Sequence, residues 1–454
     1  MTLNRRDFVA TVGLSIVGTA ASRVAAASEP VQDPADARAD VDYSNWAAVK
    51  AQFDLLTPEW LHFSQFYIVS HPKPVRDAIE RFRAMLDKNP FSTVEHGMGF
   101  DVFLGDDAEQ VAFPVRVQQA AAGYIGCRAE EVALTDSTTQ GLALIYQGLK
   151  LNAGDEILCT THDHYVHHEA IRLAAEKSGA SWRRAVLYAD PASASVDEVV
   201  GNLKRAIGPM TRVVGMTWVH SSSGVKLPVR ALTRVVAEAN AGRAEKDRIL
   251  VVLDAVHGFG NQGEQLSQLG ADFAAAGTHK WIFAPRGTGI IYVPEKNWGR
   301  LGPTIPTFYD VEPYAAWEDQ RPPKAPTSIS WLSPGGFKAY EHQWAATEAF
   351  EFHQRIGRER VAERIAALNT QCKEGLAKIP RVKVLTPMSP ALSAGLVAFE
   401  VEGQTASETA HKLHARKVVA STSPYKISKA RLAPSLVNDE REVEAALRAV
   451  REIA

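Results

Sequence analysis

The chain has 454 residues, of which 46% are apolar and 22% are charged, close to the average for globular proteins. This composition excludes a disordered chain, a fibre and a coiled coil. With 50 Lys and Arg against 52 Asp and Glu, the chain has no excess of positive charge for binding nucleic acid, so no nucleic-acid partner is expected. Three cysteines and no C-x-x-C pair argue against a disulfide framework and a cysteine zinc site.

Residues 1–27 have the three parts of a secretory signal. Arg5 and Arg6 precede a weakly apolar run at 8–21, and small residues at 25–27 suit a signal peptidase. The apolar run is too short and too rich in Gly and Ala to span a membrane. The paired arginines resemble the twin-arginine signal. We therefore predict export by the twin-arginine machinery, a periplasmic location and no stable membrane anchor; the alternative is a disordered tail with a chance arginine pair.

Residues 28–70 are predicted to form a polar N-terminal arm, after which helices alternate with short apolar strands. Helices are predicted at 75–86, 110–124 and 139–149, and strands at 156–159, 212–218, 249–254, 273–277 and 289–293. Apolar strands separated by helices are typical of a mostly parallel sheet with helices on both faces. We therefore predict a large α/β domain over 71–305.

The rest of the chain, 306–454, is predicted to hold a connecting loop, a long helix and a smaller α+β domain. A Pro-rich stretch without periodicity predicts the loop at 301–334. The helices are predicted at 337–356, 406–416 and 440–452, and the strands at 383–385 and 396–401.

A lysine stands between a predicted strand and a Gly-Thr-Gly run, in the sequence Gly-Thr-His-Lys-Trp at 277–281. At a strand end Lys280 can be desolvated, which lowers the pKa of its amine and lets it form a Schiff base with an aldehyde. The hydroxyl of Thr278 and the imidazole of His279 suit a phosphate. Alone, such a lysine would be assigned to the surface, but its neighbours indicate a site.

Asp254 ends the predicted strand at 249–254, 26 residues before Lys280. Ligands bind at the carboxyl edge of open α/β sheets, and 26 residues are enough for one crossover to the next strand. An acid there can keep a pyridine nitrogen protonated, which makes the ring an electron sink. Taken alone, Asp254 could instead be a helix cap or part of a buried ion pair.

Three further motifs could belong to a binding site. Ser137-Thr138-Thr139 precede an apolar helix, whose N-terminus could bind an anion or be an ordinary cap. The glycines at 258–263 match G-x-G-x-x-G, but no apolar helix opens at Gly260, so a dinucleotide site is disfavoured. Four histidines at 162–168 do not complete H-E-x-x-H, so we expect no metal and predict that one of them stacks on a planar cofactor.

In this order the motifs resemble those of the fold-type I, class V family of pyridoxal-phosphate enzymes. That family includes cysteine desulfurases, isopenicillin-N epimerase-like proteins and periplasmic enzymes that modify the siderophore pyoverdine. The resemblance runs from about residue 60 to the C-terminus. It implies an aspartate-aminotransferase-like fold, pyridoxal 5'-phosphate as cofactor, and a homodimer in which the loop at 333–336 of one subunit reaches the phosphate site of the other.

The resemblance also implies roles for residues. Lys280 is the Schiff-base lysine, Asp254 pairs with the ring nitrogen, and His164 stacks on the ring, with His162 as the alternative. His257 lies near the phenolic oxygen. The cofactor-binding set that the resemblance implies is Thr138, Thr139, His164, Asp254, His257, Thr278, His279 and Lys280, and its catalytic set is Lys280, Asp254 and His164.

Arg431 opens an Arg-x6-Asn run that ends at Asn438 and matches the family pattern. By resemblance Arg431 holds the substrate carboxylate with two parallel hydrogen bonds. Cysteine desulfurases carry a nucleophilic Cys upstream of this arginine, but the corresponding stretch 419–429 has none, which disfavours desulfuration. The twin-arginine signal, together with the run at 218–228, places the chain nearest the pyoverdine-tailoring and epimerase-like branch.

We therefore expect a periplasmic enzyme that acts at the α-carbon of an amino-acid group, free or linked in a peptide, and that tailors a siderophore such as pyoverdine by transamination or related chemistry. The alternatives are an isopenicillin-N-type epimerase and a β-lyase. More distant alternatives are a cysteine desulfurase, a nicotinamide oxidoreductase and a non-catalytic binding module.

Overall fold

The structure, a computed structural model, describes residues 41–99, 111–324, 326 and 328–454. The predicted signal peptide and the first part of the arm lie outside the described residues. Residues Tyr43–Ala454 form one compact unit, and the predicted boundary between a large and a small domain stays a prediction. In the described ranges, no helix combines the length and the apolar character that crossing a membrane requires.

The strands of the described residues fall into a large sheet, a small sheet and a short pair. Numbered along the chain they are Leu61–His62 (β1), Val132–Thr135 (β2), Glu156–Thr160 (β3), Ser181–Ala185 (β4), Thr211–Thr217 (β5), Leu250–Asp254 (β6), Phe273–Gly277 (β7), Gly289–Tyr292 (β8), Val382–Val384 (β9), Val397–Val401 (β10), Val418–Val419 (β11), Ser421–Thr422 (β12) and Ala430–Leu432 (β13).

The large sheet has the strand order β2-β8-β7-β6-β5-β3-β4. Neighbours among β3 to β7 pair in parallel, and β8 runs antiparallel to both of its neighbours. The antiparallel small sheet has the order β12-β13-β10-β9, and β1 pairs in parallel with β11. The predicted α/β fold with a mostly parallel sheet is thus confirmed.

The α-helices of the described residues flank these sheets. They are Trp46–Lys50 (α1), Lys73–Lys88 (α2), Pro90–Met98 (α3), Phe113–Ile125 (α4), Thr138–Gly148 (α5), Tyr165–Ser178 (α6), Val196–Ala206 (α7), Val229–Asn240 (α8), Val311–Glu318 (α9), Tyr340–Trp344 (α10), Ala346–Ile356 (α11), Arg358–Ala377 (α12), Ala406–His414 (α13) and Glu440–Ile453 (α14).

The large sheet is buried on both faces, which explains its continuous apolar strands. Side chains alternate along a strand. In β6, Val251 and Leu253 therefore pack into one hydrophobic core, while Leu250 and Val252 pack into the core on the other face. A parallel sheet covered on both faces needs strands of this kind.

Several local predictions were wrong. The predicted helix at 337–356 is two helices, α10 and α11, separated at Ala345, whose ψ of −7° departs from helical values. The predicted loop at 301–334 contains α9, and the arm contains α1. Both of these helices begin at a side-chain cap, Asp310 and Asn45 respectively, that accepts from a backbone N–H.

Candidate active site

A cavity of about 640 Å³ lies at the carboxyl edge of the large sheet. Because β5, β6 and β7 are parallel, their last residues meet at this edge, as expected for a ligand site in an α/β fold. Residues of the arm and of the small sheet complete the wall. The predicted site residues that line the cavity are Thr138, Thr139, His164, Asp254, His257, His279, Lys280 and Arg431.

Lys280 follows the end of β7, and its Nζ lies 3.5 Å from Nε2 of His257. Burial lowers the pKa of the Lys280 amine to about 8; the carboxylate of Asp254 opposes this shift, and the positive charge of Arg431 adds to it. A lysine in water would be almost fully protonated at pH 8. The site therefore makes the neutral, nucleophilic amine much more available than an exposed lysine would be.

Asp254 ends β6 and is 1% exposed. Its Oδ1 accepts a hydrogen bond of 3.1 Å from the backbone N–H of Val256. Burial raises the pKa of this carboxyl, while His167, the Val256 N–H and Lys280 oppose the shift. A buried carboxylate facing a cavity gains from a positively charged partner, such as a protonated heteroaromatic nitrogen.

The N-terminus of α5 lies in the cavity wall and has the features that suit an anion. Ser137 caps the helix by accepting from the backbone N–H of Gln140, and Thr138 and Thr139 line the cavity in the first turn. Oγ1 of Thr138 accepts a 2.7 Å hydrogen bond from the backbone N–H of Gly277, at the end of β7. The positive end of the helix dipole and the hydroxyls therefore face the cavity.

Thr278 and His279 follow Gly277 directly, but their side chains lie in different places. The Thr278 hydroxyl lies 2.7 Å from that of Thr288, in the interior and away from the cavity lining, so its predicted place at a phosphate stays a prediction. Nδ1 of His279 lies 3.0 Å from the Thr288 carbonyl oxygen, which requires a proton on that nitrogen. Of these two residues, only His279 presents its side chain to the cavity.

Of the two candidate stacking histidines, the structure places His164 in the cavity wall. Its Nδ1 accepts from the backbone N–H of Val166 at the start of α6. His162 instead stacks on Tyr188, with ring centroids 3.8 Å apart and an angle of 7° between the rings. The alternative assignment to His162 therefore loses its geometric basis.

The other residues of this segment form a buried polar cluster. Side-chain atoms of Cys159, Asp163 and His168 lie within 4.8 Å of one another, close enough for a metal ion. However, Nε2 of His168 donates to the Thr160 carbonyl at 2.8 Å, and the Asp163 carboxylate accepts from the Thr160 N–H at 2.7 Å. The Cys159 thiol also donates to the Arg183 carbonyl at 3.5 Å, so each of the three groups has a hydrogen bond to the backbone, and the absence of a metal stays a prediction.

Arg431 lies on β13, is 4% exposed and has its guanidinium held on several sides. Its Nε donates to Oγ of Ser421 at 3.2 Å, and its two terminal nitrogens donate to the carbonyls of Ser221 and Thr422, each at 2.7 Å. The guanidinium also stacks 4.8 Å from the ring centroid of Phe66. Since a guanidinium has five N–H donors, these bonds leave one N–H on each terminal nitrogen. That pair matches the two oxygens of a carboxylate.

The glycine-rich stretch 258–263 has a packing role. A Cβ at Gly258 would lie 2.2 Å from the indole of Trp218, and one at Gly260, whose φ is +98°, would lie 2.7 Å from the backbone of Trp281. The next element is a 3-10 turn at Leu266–Leu269 rather than an α-helix that could bind a diphosphate. The structure thus removes the basis for a nicotinamide site here.

Some residues of the wall were not predicted from the sequence. They are Phe66, Tyr67, Ile68, Val166, Thr217, Ser221, Val256, Ser421, Thr422 and Pro424. Thr217 and Ser221 could have been found, because Thr217 lies at the end of a predicted strand and Ser221 follows that strand, at the edge of the sheet where ligands bind. Phe66 could not have been found in this way, because the arm has neither helical nor strand periodicity.

The chain matches the family model for class-V aminotransferases over residues 108–423. Among curated relatives, the isopenicillin N epimerase of Amycolatopsis lactamdurans is 28% identical over 342 residues, which cover 73% of this chain and 78% of that protein. The isopenicillin N epimerase of Streptomyces clavuligerus is 28% identical over 331 residues, which cover 69% of this chain and 78% of that protein.

Solved structures share the fold. The cystine C–S lyase C-DES in complex with cysteine persulfide aligns with a TM-score of 0.75 and 22% identity, over 88% of this chain and 99% of that chain. A cysteine desulfurase from Thermococcus onnurineus aligns with a TM-score of 0.71 and 20% identity, over 90% of this chain and 97% of that chain. Because the family model covers more than half of its residues, the chain belongs to the class-V aminotransferase family of pyridoxal-phosphate-dependent enzymes.

Proposed function

We propose that this protein moves a proton at the α-carbon of a substrate that carries an amino group beside a carboxylate. The proposal is based on four groups in one cavity. They are the Lys280 amine with its lowered pKa, the buried carboxylate of Asp254, the N-terminus of α5, and the Arg431 guanidinium, which has one N–H on each terminal nitrogen left over from its bonds to the described residues. Lys280 suits the aldehyde of a cofactor and the amino group of a substrate beside it, and Arg431 suits the carboxylate of that substrate. An α-amino acid group presents both partners on one carbon.

The residues of this cavity fit pyridoxal phosphate. The N-terminus of α5 suits its phosphate, Asp254 suits its ring nitrogen and Lys280 suits its aldehyde. Gly277 supports the fit, because a Cβ there would lie 2.8 Å from Cε1 of His279 and 3.1 Å from Oγ1 of Thr138, in the space beside the N-terminus of α5. When bound, this cofactor supplies an electron sink for the bond that breaks at the α-carbon.

The chain's own residues then have distinct tasks. The neutral amine of Lys280 would hold the aldehyde of the cofactor, and when the substrate amine takes its place Nζ would be free to take or return the α-proton. Asp254 keeps a proton on the ring nitrogen, and His164 supports the ring by stacking. Arg431 holds the carboxylate in one plane, which decides which α-carbon bond faces the base.

Epimerisation is the reaction that the relatives named isopenicillin N epimerase favour, and transamination and β-elimination share its first proton transfer. Desulfuration is not supported by the chain's own residues, because a thiolate nucleophile is needed and none of the three cysteines lines the cavity. Burial raises the pKa of Cys127 and Cys372 to about 12 and raises that of Cys159 further still.

Deuterium exchange tests the proposal. The protein is incubated in D₂O with L-amino acids and with short peptides that bear them at the N-terminus, and exchange at the α-carbon is followed by NMR. We expect exchange with at least one of them; an accompanying D-isomer identifies an epimerase, and a keto acid identifies a transaminase. Borohydride reduction followed by peptide mapping should place the pyridoxyl label on Lys280. A label on another lysine, or no exchange with any compound, contradicts the proposal.

We further propose that the enzyme is exported and acts on a secondary metabolite such as a siderophore. The paired Arg5 and Arg6 support export, since the twin-arginine machinery moves folded proteins with their cofactors. We also propose a homodimer. Its support is a set of exposed apolar side chains, of which Phe308 and Phe337 pack on each other beside the loop at 333–336; the set is Ile305, Phe308, Val311, Tyr314, Trp317 and Phe337.

A further inference from the structure

Tyr425 contacts two residues of the cavity wall, Ser221 and His164, and has no role in the chemistry proposed above. Tyr425 lies at the tip of the hairpin formed by β12 and β13, whose loop is closed by hydrogen bonds of Ser423 with Ser428 and Lys429. Its hydroxyl lies 2.8 Å from Oγ of Ser221, in the turn after β5. Tyr425 therefore links the small sheet to the large sheet across the cavity.

This link joins the two elements that hold Arg431. One terminal nitrogen of the guanidinium donates to the carbonyl of Thr422, on the hairpin, and the other donates to the carbonyl of Ser221, on the large sheet. Because the two acceptors belong to different elements, their separation sets the plane of the guanidinium. The hydrogen bond between Tyr425 and Ser221 fixes that separation next to Arg431.

Tyr425 has a second contact in the cavity. Its ring meets the imidazole of His164 edge-on, with centroids 6.0 Å apart and an angle of 87° between the rings. Burial raises the pKa of the Tyr425 hydroxyl to about 12, so it stays protonated and keeps its hydrogen bond across the working pH range. One side chain thus contacts both the stacking ring and the support of the guanidinium.

We propose that Tyr425 is a positioning residue for the carboxylate clamp: through Ser221 it holds the guanidinium of Arg431 in the plane that receives a substrate carboxylate. This inference rests on the proposed function, in which Arg431 binds that carboxylate. The contact between the ring of Tyr425 and His164 does not involve the Tyr425 hydroxyl. Tyr425→Phe therefore separates the two contacts, because it removes the link to Ser221 and leaves the packing.

The test compares two ligands that differ only in the carboxylate. They are the L-amino acid that the wild-type holoenzyme binds most tightly and its decarboxylated amine, titrated by the visible absorption change on mixing. In Tyr425→Phe the Kd of the amino acid should rise about 3- to 10-fold, the effect of one neutral hydrogen bond, while the Kd of the amine changes by less than about twofold. Equal weakening of both ligands, or of neither, overturns the inference.

Two further variants make the result specific. Ser221→Ala removes the other end of the link and should reproduce the effect. The double variant with Tyr425→Phe should bind the amino acid no more weakly than either single variant does. Additive losses of affinity would overturn the inference. Tyr188→Phe is the control, because the Tyr188 hydroxyl lies 3.2 Å from Oγ of Ser223 in the same turn and 2.9 Å from Nδ1 of His220, rather than on Ser221. It should leave the ratio of the two Kd values unchanged.

The same titration distinguishes failure of this inference from failure of the proposed function. Arg431→Ala should remove the preference for the amino acid over its amine. If wild type itself binds no amino acid more tightly than the corresponding amine, the carboxylate clamp is wrong and the role of Tyr425 is wrong with it. If Arg431→Ala loses the preference and neither Tyr425→Phe nor Ser221→Ala reduces it, only the role of Tyr425 is wrong.

Discussion

Nε2 of His257 lies 3.5 Å from Nζ of Lys280, and the other ring nitrogen of His257 is 3.4 Å from the indole Nε1 of Trp281. An indole N–H can only donate, so Nδ1 of His257 is the acceptor, and the neutral ring carries its proton on Nε2. Burial holds the pKa of His257 well below its usual value, which keeps the ring neutral. The proton on Nε2 thus faces the lone pair of an uncharged Lys280 amine.

This arrangement predicts how the cofactor-free protein takes up pyridoxal phosphate as the pH changes. Burial depresses the pKa of Lys280, so the amine becomes neutral as pH rises through about 8 rather than through the usual 10.5. The rate of covalent attachment should therefore rise with pH and level off above about 8. Stopped-flow absorbance measures this rate. A midpoint near 10.5 would show that the lysine is not desolvated before the cofactor binds.

Lys373 is the matched control for this reactivity. Burial lowers its pKa to about 8 as well, but its Nζ bonds to the carbonyls of Pro387 and Met388 and to Oγ of Ser393. All three of its N–H donors are engaged, and it lies outside the cavity lining. Borohydride reduction should leave Lys373 unlabelled, and Lys280→Ala should abolish covalent attachment.

Replacing Asp254 with Asn should keep the cofactor bound but slow α-proton exchange by on the order of 10²-fold, since a neutral partner no longer favours a protonated ring nitrogen. Removing the carboxylate also removes a charge that raises the pKa of Lys280, so the midpoint of cofactor uptake should move to lower pH. Asp272→Asn is the control, because Asp272 is also buried but binds Arg248 and Asn297 outside the cavity. An unchanged exchange rate in Asp254→Asn would show that the carboxyl of Asp254 has only a structural role.

The positions of the main site residues could be predicted because each follows a local rule. Asp254 and Lys280 belong to the ends of neighbouring parallel strands, and such ends share one edge of a sheet. Thr138 and Thr139 open a helix after a buried strand, where backbone N–H groups are free. Strand periodicity and helix caps thus place these four residues at the ends of strands and helices, and the family resemblance joins them into one site.

The wall that faces the substrate could not be predicted in this way. Phe66 comes from the arm, and Ser421 and Thr422 form a strand of two residues, too short for a period. Their positions depend on tertiary contacts, such as the stacking of Phe66 on Arg431 and the pairing of Ser421 with Arg431. Strand β4 was missed for a related reason: as an edge strand with exposed arginines it has no apolar run.

Gly277→Ala should weaken cofactor binding without unfolding the protein. A Cβ would lie 2.8 Å from Cε1 of His279, so the imidazole or the end of β7 must move, which disturbs the N-terminus of α5. Loss of one or two hydrogen bonds there should raise the Kd for pyridoxal phosphate about 3- to 30-fold, measured by equilibrium dialysis. Gly242→Ala, where nothing lies within 4 Å of an added Cβ, is the control and should bind normally.

Replacing Arg5 and Arg6 with Lys should hold the protein, folded and with its cofactor, in the cytoplasm. The paired arginines are the feature that resembles the twin-arginine signal, and a lysine pair keeps the charge while losing that feature. Cell fractionation with N-terminal sequencing measures the outcome. Recovery of the uncleaved chain from wild-type cells would contradict the prediction of a signal peptide.

Arg431→Lys should not restore substrate binding that Arg431→Ala loses. Lysine keeps the charge but cannot present two N–H groups in one plane, and it cannot reach the acceptors of Ser221 and Thr422 together. Truncating one partner of a desolvated charge pair costs about 2–5 kcal/mol, so kcat/KM should fall about 30-fold to several thousand-fold.

Arg358→Lys is the control for a purely structural arginine. The Arg358 guanidinium also donates to two backbone carbonyls, those of Gly263 and Tyr124, and lies 5.8 Å from the ring centroid of Tyr124, but it does not line the cavity. Its replacement should lower the melting temperature and leave kcat/KM of the folded protein nearly unchanged. Replacement of Arg431 also removes three hydrogen bonds and should lower the melting temperature, but it should in addition lower kcat/KM, with that loss confined to carboxylate-bearing substrates. If Arg431→Ala binds these substrates as well as wild type does, Arg431 is structural, and the carboxylate must be recognised elsewhere in the cavity.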